Sequence, residues 1–133
     1  MNLGAGTNNS DLKNNYGNVR FYVEGESIDT GTMFCGLVMG DHSKAGISSM
    51  FNTGTHVGAA CNLFGSEFPP KFIPSFSWGG ANGMEVNKLE KAIETAQRVM
   101  ARREVRMTDS MVALFKTLFD KTAIDREKVF SSL

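Results

Sequence analysis

His42 and His56 are the side chains best suited to general-base or metal chemistry, because imidazole titrates near neutrality. A catalytic zinc takes three protein ligands. Two histidines do not supply them, and no metal is expected. His42, in Gly40-Asp41-His42-Ser43-Lys44, is the candidate base. The plainer alternative is a surface or hydrogen-bonded histidine. Lys71 and Trp78 belong to the aromatic run Phe68-Pro69-Pro70-Lys71-Phe72-Ile73-Pro74-Ser75-Phe76-Ser77-Trp78. A cation beside aromatic walls suits a phosphate- or nucleotide-bearing ligand, which makes Lys71 a substrate-binding candidate. The alternative is an aromatic seal over a core. Arg102, Arg103 and Arg106 form a basic corner, either an anion site or a solvated helix end. Cys35 and Cys61 give no disulfide framework and no metal motif.

These residues must be positioned by a repeat. Every sixth residue from Met39 is apolar: Met39, Ala45, Phe51, Val57, Leu63. Gly follows Met39, Ala45 and Val57, and Asn follows Phe51. Four residues beyond each of the first four stands a small side chain: Ser43, Ser49, Thr55, Cys61. A helix repeats near 3.6 and a strand at 2; a beat of six is a coiling repeat. The apolar residue points inward, the small one shares the interior, and Gly or Asn supplies the positive φ of a turn. Residues about 18 apart then stack in parallel ladders, Met39 over Val57 and Ala45 over Leu63. His42 and His56 occupy different phases and do not share a ladder. Cys61 is expected to be a buried thiol.

The 133 residues suffice for one small domain. Fourteen basic and fourteen acidic side chains cancel, so no field favours nucleic acid. No apolar run is long enough to span a membrane, and the N-terminus has no signal-peptide pattern. A cytoplasmic protein is the default.

Along the chain, Asn2 to Thr7 already follows the beat, with Leu3 inward and Thr7 small. Residues 8–36 break it as a polar loop carrying a strand over 19–23 and a returning strand over 27–30. Residues 1–65 thus form the repeat with its inserted loop. Residues 66–83 read as an extended strap and a flexible Gly joint, and 84–133 as a helical extension. The stripe Leu89, Ile93, Ala96, Met100 predicts a helix opened by Asn87 and Glu90. Thr108 caps a second helix, lined by Met111, Leu114, Phe115, Leu118 and Phe119. A short third helix follows from Asp125. Because the beat runs from the second residue without a cap, the chain is expected to be a fragment.

Asn2-Leu3-Gly4-Ala5-Gly6-Thr7, a polar loop, and then Gly40-Asp41-His42-Ser43-Lys44-Ala45-Gly46 resemble the C-terminal domain of sugar-1-phosphate nucleotidyltransferases. These include the bifunctional N-acetylglucosamine-1-phosphate uridylyltransferase/glucosamine-1-phosphate acetyltransferases. The Pro-Pro-Lys-Phe run is similar to that of a glucose-1-phosphate thymidylyltransferase-like branch. The resemblance implies a mainly β chain, a left-handed parallel β-helix of hexapeptide repeats with a hairpin excursion and a C-terminal helical extension. It implies that Asn2 contacts a sugar phosphate and Ala5 an acetyl-CoA. Asp11 and Leu12 align with the family's cofactor-holding Asn-Tyr pair, from which they depart. The family's catalytic histidine, and a Mg-dependent nucleotidyltransferase domain, would lie before Met1.

Three functions follow as expectations. In the first, the chain is the C-terminal part of such a transferase, serving homotrimer assembly and binding sugar phosphate, nucleotide or acyl-CoA. In the second it is a self-contained acyltransferase acting on a sugar, with His42 as base. The third is a non-catalytic trimerisation or regulatory domain.

Overall fold

The computed structural model describes residues 1–133. The first strands are β1 (Asn2–Leu3) and β2 (Asn8–Asn9), then the hairpin β3 (Arg20–Val23) and β4 (Glu26–Asp29). Two-residue strands follow at a six-residue interval: β5 (Val38–Met39), β6 (Lys44–Ala45), β7 (Met50–Phe51), β8 (His56–Val57) and β9 (Asn62–Leu63). After them come β10 (Phe72–Ile73), β11 (Ser77–Gly80) and β12 (Gly83–Val86), then α1 (Leu89–Ala101), α2 (Asp109–Lys121) and α3 (Ala123–Phe130).

The expectation of a mainly β, left-handed parallel β-helix is corrected. Helix and strand each make up 26 % of the chain, so it is mixed α/β, and the short strands lie in small sheets that close no solenoid. The physical reason is that turns consume most of each six-residue step, leaving two residues to pair. The hairpins and helices take much of the remainder.

The register of those strands still follows the beat. Met39 pairs with Val57 and Ala45 with Leu63, both in parallel. Asn2 pairs with Lys44 across the inserted loop. Ala45, Phe51, Val57, Cys61, Leu63 and Ile73 form the core cluster, with Met39 packed against it. Ser43, Ser49 and Thr55 are buried beside them. Each satisfies its hydroxyl on a nearby carbonyl; Ser43 Oγ donates to Gly58 O at 2.6 Å and accepts from Cys61 N at 2.9 Å. A buried hydroxyl without such a partner would be costly. Leu3 is 46 % exposed rather than inward, because β1 is an edge strand with β6 on one side only.

The positive-φ corners are not where Gly follows the apolar residue. They fall at His42, Ser48, Gly54 and Ala60, also six apart. Gly40 and Gly58 serve close stacking instead: a Cβ on Gly40 would meet Ala59 N at 2.7 Å.

The six-residue interval ends at β9, but the ladder continues past Gly65. Phe72 pairs with His56 and Trp78 with Asn62, a shorter step of sixteen residues. The strap is therefore another round of ladder, and the Gly joint is the antiparallel turn between β11 and β12. Phe76 is fully buried, whereas Phe68 and Trp78 are largely exposed, so only part of the expected aromatic seal exists. Asn87 does not cap α1. Its side chain donates to Ala60 O at 2.8 Å and ties the helix entry to the turn below. Thr108 does cap α2, accepting from Met111 N.

Cys61 is buried, and burial pushes its thiol up to about 11. Cys35 is only half-buried. A thiol reacts as its thiolate, so Ellman's reagent at pH 8 is expected to titrate one cysteine in the native chain and both after unfolding. Equal reaction of both in the native state would contradict this packing.

Candidate functional site

The ladder brings Asn2 and Lys44 side by side. Lys44 precedes the buried Ala45 and so faces away from the core, and Asn2 pairs with it in register on β1, so the two share an outer face. Asn2 N donates to Ser43 O at 3.0 Å. Lys44 Nζ reaches back to donate to His42 O at 3.0 Å. His42 occupies the corner between β5 and β6 with φ +62°. Such a backbone is uncommon outside Gly and Asn, and it holds the imidazole out from the ladder.

The C-terminal end of α1 approaches the same face. There Arg102 and Arg103 stand where the helix dipole favours cations. Asn2, His42, Lys44, Arg102 and Arg103 line an open recess of about 670 Å³ with no acidic side chain in its wall. The ion pairs of the chain are Arg20–Asp29, Lys91–Glu94 and Arg98–Glu94, so the three recess cations have no carboxylate partner. Burial lowers the pKa of Lys44. Burial lowers that of His42 below the ordinary 6.5, helped by Lys44 and opposed by Asp41. Both burial and Lys44 thus favour the neutral form of the His42 imidazole, which stands beside three cations that attract an anion.

The other sequence candidates go elsewhere. Lys71 is exposed, and its Nζ is 3.4 Å from Thr53 Oγ1. Trp78 is on β11, in a different sheet from the strand after Lys71, so the two do not frame one cleft. Ala5 lies in the turn after β1, its carbonyl accepting from Ser48 N. Asp11 and Leu12 close the base of the inserted loop: Asp11 O accepts from Cys35 N, and Leu12 bridges Phe34. None of these five lines the recess. His56 is a structural histidine, with Nδ1 2.8 Å from Tyr22 O and its ring stacked on Phe21. The basic corner divides, since Arg106 lines a separate hollow that also includes Glu104 and Asp109.

Lys44 and the meeting of Arg102 and Arg103 with Asn2 are what sequence reasoning missed. A signal for Lys44 existed: Asn2, Lys44 and Asn62 each stand before the apolar residue of their strand and pair in register, so they share one phase. No helix is long and apolar enough to cross a membrane. No protein-family model matches the chain, and no curated protein matches it significantly.

Proposed function

We propose that this chain belongs to a sugar-1-phosphate nucleotidyltransferase-like transferase and binds a phosphorylated ligand in the recess of Asn2, His42, Lys44, Arg102 and Arg103. The observation that carries this reading is the convergence of three unpaired cations on Asn2, the residue that the resemblance assigns to the sugar phosphate. Arg supplies planar, two-pronged donors for phosphate oxygens, and Lys adds a point charge. Asn2 adds an amide for a sugar hydroxyl or a phosphate oxygen. The protein assembles as a homotrimer in this reading, with a molar mass by light scattering three times that of the chain.

Calorimetric titration with glucose 1-phosphate tests it. Saturable binding is expected, and Arg102→Ala with Arg103→Ala should weaken it about tenfold or more, since charge-assisted hydrogen bonds contribute about 1.5–3 kcal/mol each when well made. Added salt should weaken it further. Binding unaffected by the double substitution would end this reading.

His42 favours a second reading, acyl transfer to a sugar. A neutral imidazole can take the proton from a sugar amine or hydroxyl as that group attacks an acetyl-CoA thioester, with the CoA thiolate leaving. Because burial depresses its pKa, His42 keeps its basic form at pH 7 and loses it as pH falls through a value below 6.5. Release of CoA thiol in the presence of glucosamine 1-phosphate should decline over that acidic range and vanish in His42→Gln. Undiminished release in His42→Gln would remove the second reading and leave the first.

A further inference from the structure

His42 also lines a second hollow, of about 270 Å³. Its walls are Phe76, Met107, Met111, Leu114, Phe115 and Leu118, closed below by Ala59 and Ala60. The His42 ring meets Phe115 edge-on, with centroids 5.2 Å apart. His42 and Asp41 are its only polar lining, both at the end nearest the corner.

This hollow is not ordinary packing. Protein interiors are filled nearly as densely as organic crystals and keep few voids larger than a water. Yet α2 buries none of its residues, and Met111 and Leu114, which line the hollow, are 40 % and 65 % exposed. An enclosed apolar cavity of about 150 Å³ takes up benzene; this larger hollow has a similarly apolar lining but is partly open to solvent. The space beneath α2 holds roughly nine water volumes, enough for a chain of about eight carbons.

We infer that the hollow receives the apolar chain of an amphiphilic phosphate whose head occupies the basic recess, His42 standing at the junction. The argument is one of complementarity. His42 lines both spaces, one walled by cations without carboxylate partners and the other almost wholly by hydrocarbon. The inference rests on the phosphate reading of the recess and adds the substrate class: a soluble, single-chain alkyl or acyl phosphate. Burying each methylene strengthens binding about fourfold, so a few buried methylenes give a large, readable gain.

NMR-monitored titrations with methyl phosphate and octyl phosphate separate the two claims. Octyl phosphate is expected to bind at least about thirtyfold more tightly, shifting signals from both His42 and Phe115. Ala59→Leu, which fills the floor of the hollow, should erase that gain while leaving methyl phosphate affinity unchanged. Leu114→Glu, at an exposed position, should reduce the gain without a risk to folding. Arg102→Ala with Arg103→Ala should weaken both ligands. If methyl phosphate binds and octyl phosphate binds no better, the chain site is wrong and the phosphate reading stands. If octyl phosphate gains affinity but ignores the arginine substitutions, the two spaces do not serve one ligand and the inference falls. If instead the hollow is closed by a second copy, light scattering will show concentration-dependent association that Leu114→Glu abolishes, with no octyl gain, and the inference falls likewise.

Discussion

Gly58→Ala is expected to cost about 3 kcal/mol or more, enough to unfold much of the population at room temperature. A Cβ at this position would overlap the backbone nitrogen of Ser75 and lie 2.8 Å from its Cα. The obstacle is main chain, not the tip of a flexible side chain. Nor can that main chain retreat. Ser75 Oγ accepts from Ala59 N at 2.9 Å, and Gly58 N donates to Ile73 O at 2.8 Å. Gly46→Ala is the matched control. It has the same place in the beat, but its added Cβ would meet nothing closer than 3.6 Å, an ordinary contact. Its φ is not positive, so reduced freedom of the unfolded chain should make it neutral or stabilising by about 0.4–1 kcal/mol. Urea midpoints of the two variants decide the matter. Equal losses would mean that backbone proximity is not why Gly58 is there.

The contrast also shows what the six-residue beat could and could not report. Between Ala45 and Leu63 it specified which side chains are inward and which partners stack, because both follow from period alone; at the edge strand it failed for Leu3. It misassigned the turn chemistry. Left-handed corners at His42, Ser48 and Ala60 carry side chains that leave no trace of their backbone angle in the sequence. The round after Gly65 was legible in part. Ile73 and Ser77, four apart, repeat the inward-apolar and inward-small spacing, and both are fully buried. The Phe- and Pro-rich surroundings and the shortened step hid them. The recess was half legible. Asn2 and Lys44 share a phase, and Arg102 and Arg103 are adjacent. Their convergence depends on where α1 docks, which is set by Ala92 and Ala96 packing inward and by the Asn87–Ala60 hydrogen bond. Those are long-range contacts that no local pattern encodes. The fold class was misread for a related reason: the beat drew attention to strands that are only two residues long, while three helices contribute as much ordered chain.

Arg126 carries the other large expected effect, and nothing in the sequence distinguished it from its charged neighbours. It is 4 % exposed and forms no ion pair. Its guanidinium donates to Ser75 O at 3.1 Å, Thr122 Oγ1 at 2.6 Å and Phe119 O at 2.7 Å. It also lies over the Phe119 ring at 4.3 Å and near Phe76 at 5.8 Å. Burial pushes its pKa down and Asp120 and Asp125 oppose this, but an arginine remains charged at any working pH. The cation is held by the Phe119 carbonyl at the end of α2, where negative potential accumulates, by the Ser75 carbonyl, and by aromatic faces. Arg126→Ala should therefore cost about 3 kcal/mol or more, through a cavity and two carbonyls left unpaired. Arg126→Met separates these terms. It restores much of the volume but donates nothing, so a loss of about 1–2 kcal/mol should persist. Because Ser75 belongs to the ladder and Phe119 to α2, the guanidinium pins that helix over the hollow beside His42. Hydrogen exchange in Arg126→Met should accelerate first in α2, before the ladder amides of β6 and β9. Octyl phosphate should lose affinity in step, with methyl phosphate unaffected. Wild-type stability and exchange in Arg126→Met would show that the aromatic contacts of Phe76, Phe115 and Phe119 hold α2 without the buried cation.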